Sequence, residues 1–313
     1  MRPRPRRRHC CPSRREPRPW TSLGAPSTST ARSTTRAPCS APTVTPCGSR
    51  WPPPNRPSAQ LARSRKTHTG RLLAAHAGKH LKKTVLELGG SNPFIILPDA
   101  DLQRAAIDAC YSRFRDAGQS CNAAKRIIVT QDIAEQFIPL FLAECAKLQT
   151  GNPKDPNTTL APLHRQDLRQ TVHEQVQDAV AHGAQCLSGG YIPDGESWFY
   201  PATVLDQVNP NCRVWHEEVF GPVAMILRAD NPDHAVALAN DTPFGLGACI
   251  YTADTANAWK YAEKIQAGSV FINRHTSSDL RLPFGGVKAS GYGRELSEFG
   301  LYEFVNVKTY WQK

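Results

Sequence analysis

The sequence predicts an α/β protein built on a mainly parallel sheet, and three observations carry that prediction. Short apolar runs alternate with amphipathic helical stripes from Thr84 onward. The intervening helices are long enough to serve as crossovers between parallel strands, with both faces of the sheet covered. No internal repeat at a fixed period replaces this alternation with a solenoid.

Residues 84–88 read as a short strand closed by Gly89 and Gly90, and residues 94–97 as a second, stopped by Pro98. Asp99 or Asp101 then caps a helix with Leu102, Ala105, Ala106, Ala109, Cys110 and Phe114 on one stripe, and Gly118 just past its end. Residues 126–129 are again strand-like. A helix follows with Ile133, Phe137, Leu140, Phe141, Cys145 and Leu148 on one face. A turn-rich stretch, 151–162, leads to a helix carrying Leu168, Val172, Val176 and Val180, which Gly183 ends. Strands are expected over 185–187, 203–205, 223–227, 248–251 and Ser269–Ile272, with helices over 234–240 and 256–266.

The first 69 residues are a different kind of text. They hold 14 arginines, one lysine and a single acidic residue, Glu16, so their net charge is +14 against +11 for the whole chain. The remainder is therefore mildly acidic. Half of the 26 prolines also fall in this segment, while Ile, Phe, Tyr and Asp are absent. Such a composition cannot bury enough apolar surface to offset chain entropy, so disorder is expected. It suits a nucleic-acid tail, a transit peptide, or an out-of-frame translation of GC-rich coding sequence.

Ten cysteines are present without any C-x-x-C pair, so a zinc site is not expected and metals are left out of the reading. A chain of this length suggests no disulfide framework, and a reducing compartment is the default. No apolar run reaches the length of a membrane span. The expectation is a cytoplasmic protein with no membrane and no nucleic-acid partner, since no aromatic platform accompanies the charge.

Four motifs carry the chemistry. Glu87-Leu88-Gly89-Gly90 places a carboxylate at a strand end, which taken alone points to solvent. Gly118-Gln119-Ser120-Cys121 places a cysteine among polar, loop-like neighbours. Cys110, Cys145, Cys186 and Cys249, by contrast, fall on apolar faces or in strands and read as small core hydrophobes. Glu217-Glu218-Val219-Phe220-Gly221-Pro222 precedes an apolar strand. Pro283-Phe284-Gly285-Gly286-Val287-Lys288 runs on to Ser290-Gly291. Glycines beside an aromatic let backbone approach a flat ligand closely.

From about Gly70 to Lys313, roughly four-fifths of the chain, these motifs resemble the NAD(P)-dependent aldehyde dehydrogenase superfamily in order and spacing. The resemblance implies a parallel-sheet catalytic domain with only a remnant of the Rossmann-like cofactor domain. It implies that Cys121 is the catalytic thiol and Glu87 the general base. Glu218 would hold the ribose of the cofactor's nicotinamide half, with Phe220 packed near that ring, Gly89 on the cofactor side, and Phe284 lining the substrate tunnel. A thiolate suits addition to an aldehyde, and a polar, accessible setting is expected to lower its pKa. The adduct's oxyanion needs donors, one of them the backbone N–H of Cys121. Its collapse passes hydride to NAD or NADP and leaves a thioester, which Glu87 hydrolyses by activating water.

Arg115 and Ser278 stand where the succinate-semialdehyde branch of the family binds the substrate's distal carboxylate, and a bidentate arginine is the expected solution for that group. Taken alone, Arg115 is one more cation on a solvated helix end. Residues 82–87 and 123–126 also look like that bacterial branch. The implied function is oxidation of succinate semialdehyde to succinate, with another aliphatic aldehyde or an inert fragment as alternatives. The strand-like 303–309 resembles the family's intersubunit strand, so a homo-oligomer, dimer or tetramer, is expected.

The departure from the family lies upstream. Neither the Asn that completes the oxyanion hole nor the Lys that meets the adenine ribose can be placed, and the resemblance switches on abruptly at Gly70 in mid-helix. That favours the out-of-frame reading of residues 1–69. The expected organisation is 1–69 disordered, 70–88 the cofactor-domain remnant, 89–290 catalytic, and 291–313 a return segment with the oligomerisation strand.

Overall fold

The computed structural model describes residues 59–63, 67–195 and 197–313. In chain order they form strand β1 (Ala59–Arg63), helix α1 (Thr67–Lys79), β2 (Lys83–Glu87), β3 (Asn92–Ile96) and α2 (Leu102–Phe114). A tight 3-10 turn (Arg115–Gly118) leads to β4 (Ala124–Thr130), α3 (Gln131–Cys145), α4 (Gln166–Ala181) and β5 (Gln185–Ser188). Next come β6 (Thr203–Asp206), α5 (Arg213–His216), β7 (Val223–Ala229), α6 (Pro232–Asn240) and β8 (Phe244–Gly245). The chain closes with β9 (Gly247–Tyr251), α7 (Thr255–Lys264), β10 (Ser269–Ile272), β11 (Val287–Lys288), β12 (Gly291–Tyr292) and α8 (Ser297–Tyr302).

Seven strands make the central sheet, in the order β10-β9-β3-β4-β7-β6-β5. Every neighbouring pair is parallel except β5–β6. The α/β class with a mainly parallel sheet is the one observed. Its middle strands β3, β4 and β9 are buried at every position, as strands covered on both faces must be. Edge strand β5 is half open to solvent, and there the single antiparallel pairing occurs.

The helical stripes land where their spacing puts them. Ala105, Ala106, Ala109 and Phe114 of α2 are buried against Phe137 and Phe141 of α3, with Phe114 and Phe141 stacked at 6.3 Å. Asp101 is the cap of α2, accepting from the Arg104 amide at 3.0 Å. Asp99 instead accepts from Thr252 Oγ1 and the Asp254 amide. Val180, expected on the apolar face of α4, is 42% exposed because the helix ends one residue later. Leu148 lies beyond the end of α3 yet still packs on the core.

A smaller sheet, β1-β2-β12, stands beside the main one. β1 runs parallel to β2, from Ala59 opposite Lys83 to Arg63 opposite Glu87, and helix α1 already begins at Thr67. Regular structure therefore starts upstream of Gly70, inside the stretch whose composition predicts disorder. The reason is pairing: ladder hydrogen bonds to the largely buried β2 set a strand whatever its own composition. Residues 1–58 and 64–66 of that stretch lie outside the described residues. The return segment enters as β12, antiparallel to β2 with Gly291 opposite Glu87. Residues 303–309 form no strand within the chain and are mostly exposed.

This topology positions the site. β3, β4 and β7 are parallel neighbours, so the segments entering them, which carry Gly89, Cys121 and Glu218, arrive at one end of the sheet.

Candidate active site

The turn before Cys121 is conformationally unusual. Asp116 and Ala117 hold positive φ of 55° and 52°, and Gly118 follows at 69°. A Cβ on Gly118 would lie 2.3 Å from the Gly221 carbonyl oxygen, so the Cys121 loop and the Glu218–Phe220 loop touch backbone to backbone. Arg113, fully buried at the end of α2, binds the second loop from below. Its Nε donates to the Val223 carbonyl at 2.6 Å, and its Nη2 donates to those of Val219, at 3.2 Å, and Gly221. Burial pulls this guanidinium below its usual range, opposed by Glu218.

Cys121 itself is half-buried. Its loop is pinned at Asn122, whose carbonyl accepts from Asn92 Nδ2 at 3.1 Å and Thr276 Oγ1 at 2.6 Å. Two positions into β4, Lys125 is fully buried. Its Nζ donates to the carbonyls of Ser120 (2.8 Å) and Cys121 (3.0 Å) and pairs with Glu218 Oε1 at 3.3 Å. The Gly90 amide donates to the same Glu218 oxygen at 3.1 Å.

Glu87 ends β2 and is buried, 6% exposed. Its neighbours are fixed by Ser290, which accepts from the Leu88 amide through its carbonyl and donates from Oγ to the Gly89 carbonyl at 2.7 Å. Ser290 of the glycine-rich motif is therefore a pin between segments. Phe284 is held by a two-way backbone bridge with Glu295.

A cavity of about 390 Å³ brings these parts together. Its lining includes Cys121, Glu87, Glu218, Phe220, Gly89, Arg115, Ser278 and Phe284. All eight residues singled out in the sequence thus face one space. They differ in setting: Glu218 and Phe220 are buried, whereas Arg115 and Ser278 are exposed at the rim. Arg115 pairs with Asp116 at 3.3 Å and lies 5.7 Å from the Tyr111 ring.

The expectation of a lowered thiol pKa is corrected by the structure. Burial pushes the Cys121 thiol up, Glu218 and Glu87 add to the rise, and Lys125 and the Asn122 amide oppose it. A loop-like sequence suggested more solvent than the folded cavity admits. Sequence reasoning also missed Lys125 and Arg113 as parts of the site. A signal for Lys125 was present: with Arg126 it forms a pair of cations inside a strand otherwise suited to complete burial, and buried cations need partners.

Among the described residues no group of three or more His, Cys, Asp or Glu is placed to hold a metal ion. Among them, too, no helix is long and apolar enough to cross a membrane.

The aldehyde dehydrogenase family model matches residues 65–310. Over 243 residues the chain is 49% identical to a succinate semialdehyde dehydrogenase of Escherichia coli whose name includes NAD(P)+, covering 78% of this chain and 53% of that protein. It is likewise 49% identical over 242 residues to a Mycobacterium bovis succinate-semialdehyde dehydrogenase named for NADP+, covering 77% and 53%. Among solved structures, a succinic semialdehyde dehydrogenase from Streptococcus pyogenes in complex with NADP+ superposes with a TM-score of 0.76 at 39% identity, covering 79% of this chain and 54% of that one. The chain spans about half the length of the curated relatives it matches.

Proposed function

Because this chain belongs to the aldehyde dehydrogenase family, we propose that its cavity oxidises an aldehyde bearing a distant carboxylate, succinate semialdehyde to succinate, with NAD(P)+. One observation carries the reading: a thiol, a buried carboxylate and an exposed arginine line the same 390 Å³ space. The relatives named for succinate semialdehyde support the choice of substrate.

The residues present fit the nicotinamide end of the cofactor. Glu218 lines the cavity with its carboxylate already fixed by the Gly90 amide and Lys125, which suits acceptance of ribose hydroxyls, and the Phe220 ring lies beside it. When bound, NAD(P)+ supplies the acceptor for the hydride that converts the cysteine adduct to a thioester. The Cys121 sulfur, once deprotonated, bonds to the aldehyde carbon while the carbonyl π pair moves onto oxygen, and the Cys121 backbone N–H donates to that charge. Glu87 takes a proton from water, the resulting hydroxide adds to the thioester carbon, and the carbon–sulfur bond breaks to give the carboxylic acid, which loses its proton to the Cys121 thiolate or to solvent. Arg115, which lines the same cavity as Ser278, holds the substrate's far carboxylate.

The test is formation of reduced cofactor from succinate semialdehyde by the purified chain. Turnover is abolished in Cys121→Ala, and Glu87→Gln yields a burst of reduced cofactor followed by a stall at the thioester. Turnover persisting in Cys121→Ala sinks the assignment. The raised Cys121 thiol favours a second reading, a cavity formed without turnover. An inactive chain whose Cys121 still reacts with a thiol-directed electrophile would select it. We further propose that the mostly exposed residues 303–309 pair between copies, so deleting them lowers the mass measured by light scattering.

A further inference from the structure

Lys125 takes no part in the reaction steps above, yet it is buried beside the nucleophile with every donor matched. Its side chain is 0% exposed, and three acceptors surround the nitrogen: two backbone carbonyls of the Cys121 loop and the Glu218 carboxylate. An ammonium has three N–H donors and no acceptor, so the number of partners matches the charged form. A neutral amine has two N–H groups and would leave one acceptor unmet. The Phe220 ring centroid is 6.0 Å from the nitrogen, within range of a cation–π attraction.

We propose that Lys125 is a positioning residue that clamps the Cys121 loop to Glu218 and keeps a positive charge behind the nucleophile. One group thereby sets both the thiol and the carboxylate on the nicotinamide side. The inference rests on Cys121 and Glu218 having the roles assigned above. The charges facing the thiol are Lys125, which favours thiolate, and Glu218 and Glu87, which oppose it, together with the Asn122 amide. Burial pulls the Lys125 ammonium below its ordinary range and Arg113 adds to that, while Glu218 and Cys121 favour the charged form. Without Lys125 the thiol would face burial and two carboxylates with only a backbone amide in its support.

The experiment is alkylation of the full chain by iodoacetamide across a range of pH, followed at the Cys121 peptide by mass spectrometry. Replacing the ammonium in Lys125→Met moves the midpoint up by about one pH unit and slows alkylation near neutral pH about tenfold. Lys125→Arg, which keeps the charge, returns the midpoint toward that of the unaltered chain. Where Lys125→Met fails to fold, Lys125→Gln, which keeps an amide donor, takes its place with the same expected shift. An unmoved midpoint in a folded neutral variant overturns the proposal, because a purely structural role alters melting or the alkaline plateau and leaves the midpoint in place. Failure of the nucleophile assignment is read separately, as aldehyde turnover surviving Cys121→Ala; alkylation reports the field at the thiol whether or not the cavity turns over.

Discussion

At the floor of the cavity Glu218 and Lys125 are 7% and 0% exposed, and the Gly90 amide and two loop carbonyls complete their contacts. At the rim Arg115 and Asp116 are 43% and 65% exposed and share a single contact of 3.3 Å. The two ion pairs look alike on paper and behave differently. Breaking a buried pair leaves an unmatched charge out of water, at a cost of several kcal/mol, so the floor has one arrangement. An exposed pair contributes about 1 kcal/mol or less, so Arg115 can exchange Asp116 for another carboxylate at little expense. On the proposed function, the floor holds the reacting groups and the rim selects the substrate.

Substitutions can break that contrast, and the largest effect is expected where the floor's two loops touch. Gly118→Val combines a positive φ with a clash on the Gly221 carbonyl, and should destabilise by about 4 kcal/mol from backbone strain and overpacking together. An unfolding free energy from urea titration within about 1 kcal/mol of the parent would show that the loops separate freely. Arg113→Met comes next. It removes the donor from the carbonyls of Val219, Gly221 and Val223, which should lower stability by about 3 kcal/mol in the same measurement. At the rim, Arg115→Ala should change stability by no more than about 0.5 kcal/mol. Its effect belongs in selectivity, a loss of about tenfold in kcat/KM for a carboxylated aldehyde relative to an uncharged one, equivalent to about 1.4 kcal/mol. An equal loss for both aldehydes would erase the distinction between rim and floor.

The gentlest probe is titration. The half-buried Cys121 thiol is raised, so its proton is held longer, the thiolate fraction near neutral pH is small, and reactivity climbs as pH rises past the ordinary thiol range. An alkylation midpoint below that range would mean the floor is wetter than its burial indicates.

Much of this was legible in the residues. The i, i+3, i+4 stripe of α2 and the apolar runs of β3 and β4 identify themselves, because helix and strand periodicities differ and both faces of this sheet are covered. The separation of Cys121 from the core cysteines also held, since Cys110, Cys145 and Cys249 are buried. Cys186 did not follow its expected core placement: it lies on half-open β5 and is exposed. Strand β1 was missed because its formation depends on β2, a partner 24 residues later in register. The placement of Arg113 and Lys125 was missed because most of their partners are backbone carbonyls, which every residue possesses and no side-chain pattern reveals.

Local order, residue type and motif sequence belong to the chain itself: which segments coil or extend, and that a cysteine, two glutamates and an arginine occur in a given succession. Tertiary structure decided what those groups experience. Parallel pairing of β3, β4 and β7 brought distant segments to one sheet end, and burial then reversed the expected direction of the Cys121 thiol. The reason is that desolvation and backbone partners depend on three-dimensional surroundings, whereas periodicity and capping are settled within a few residues.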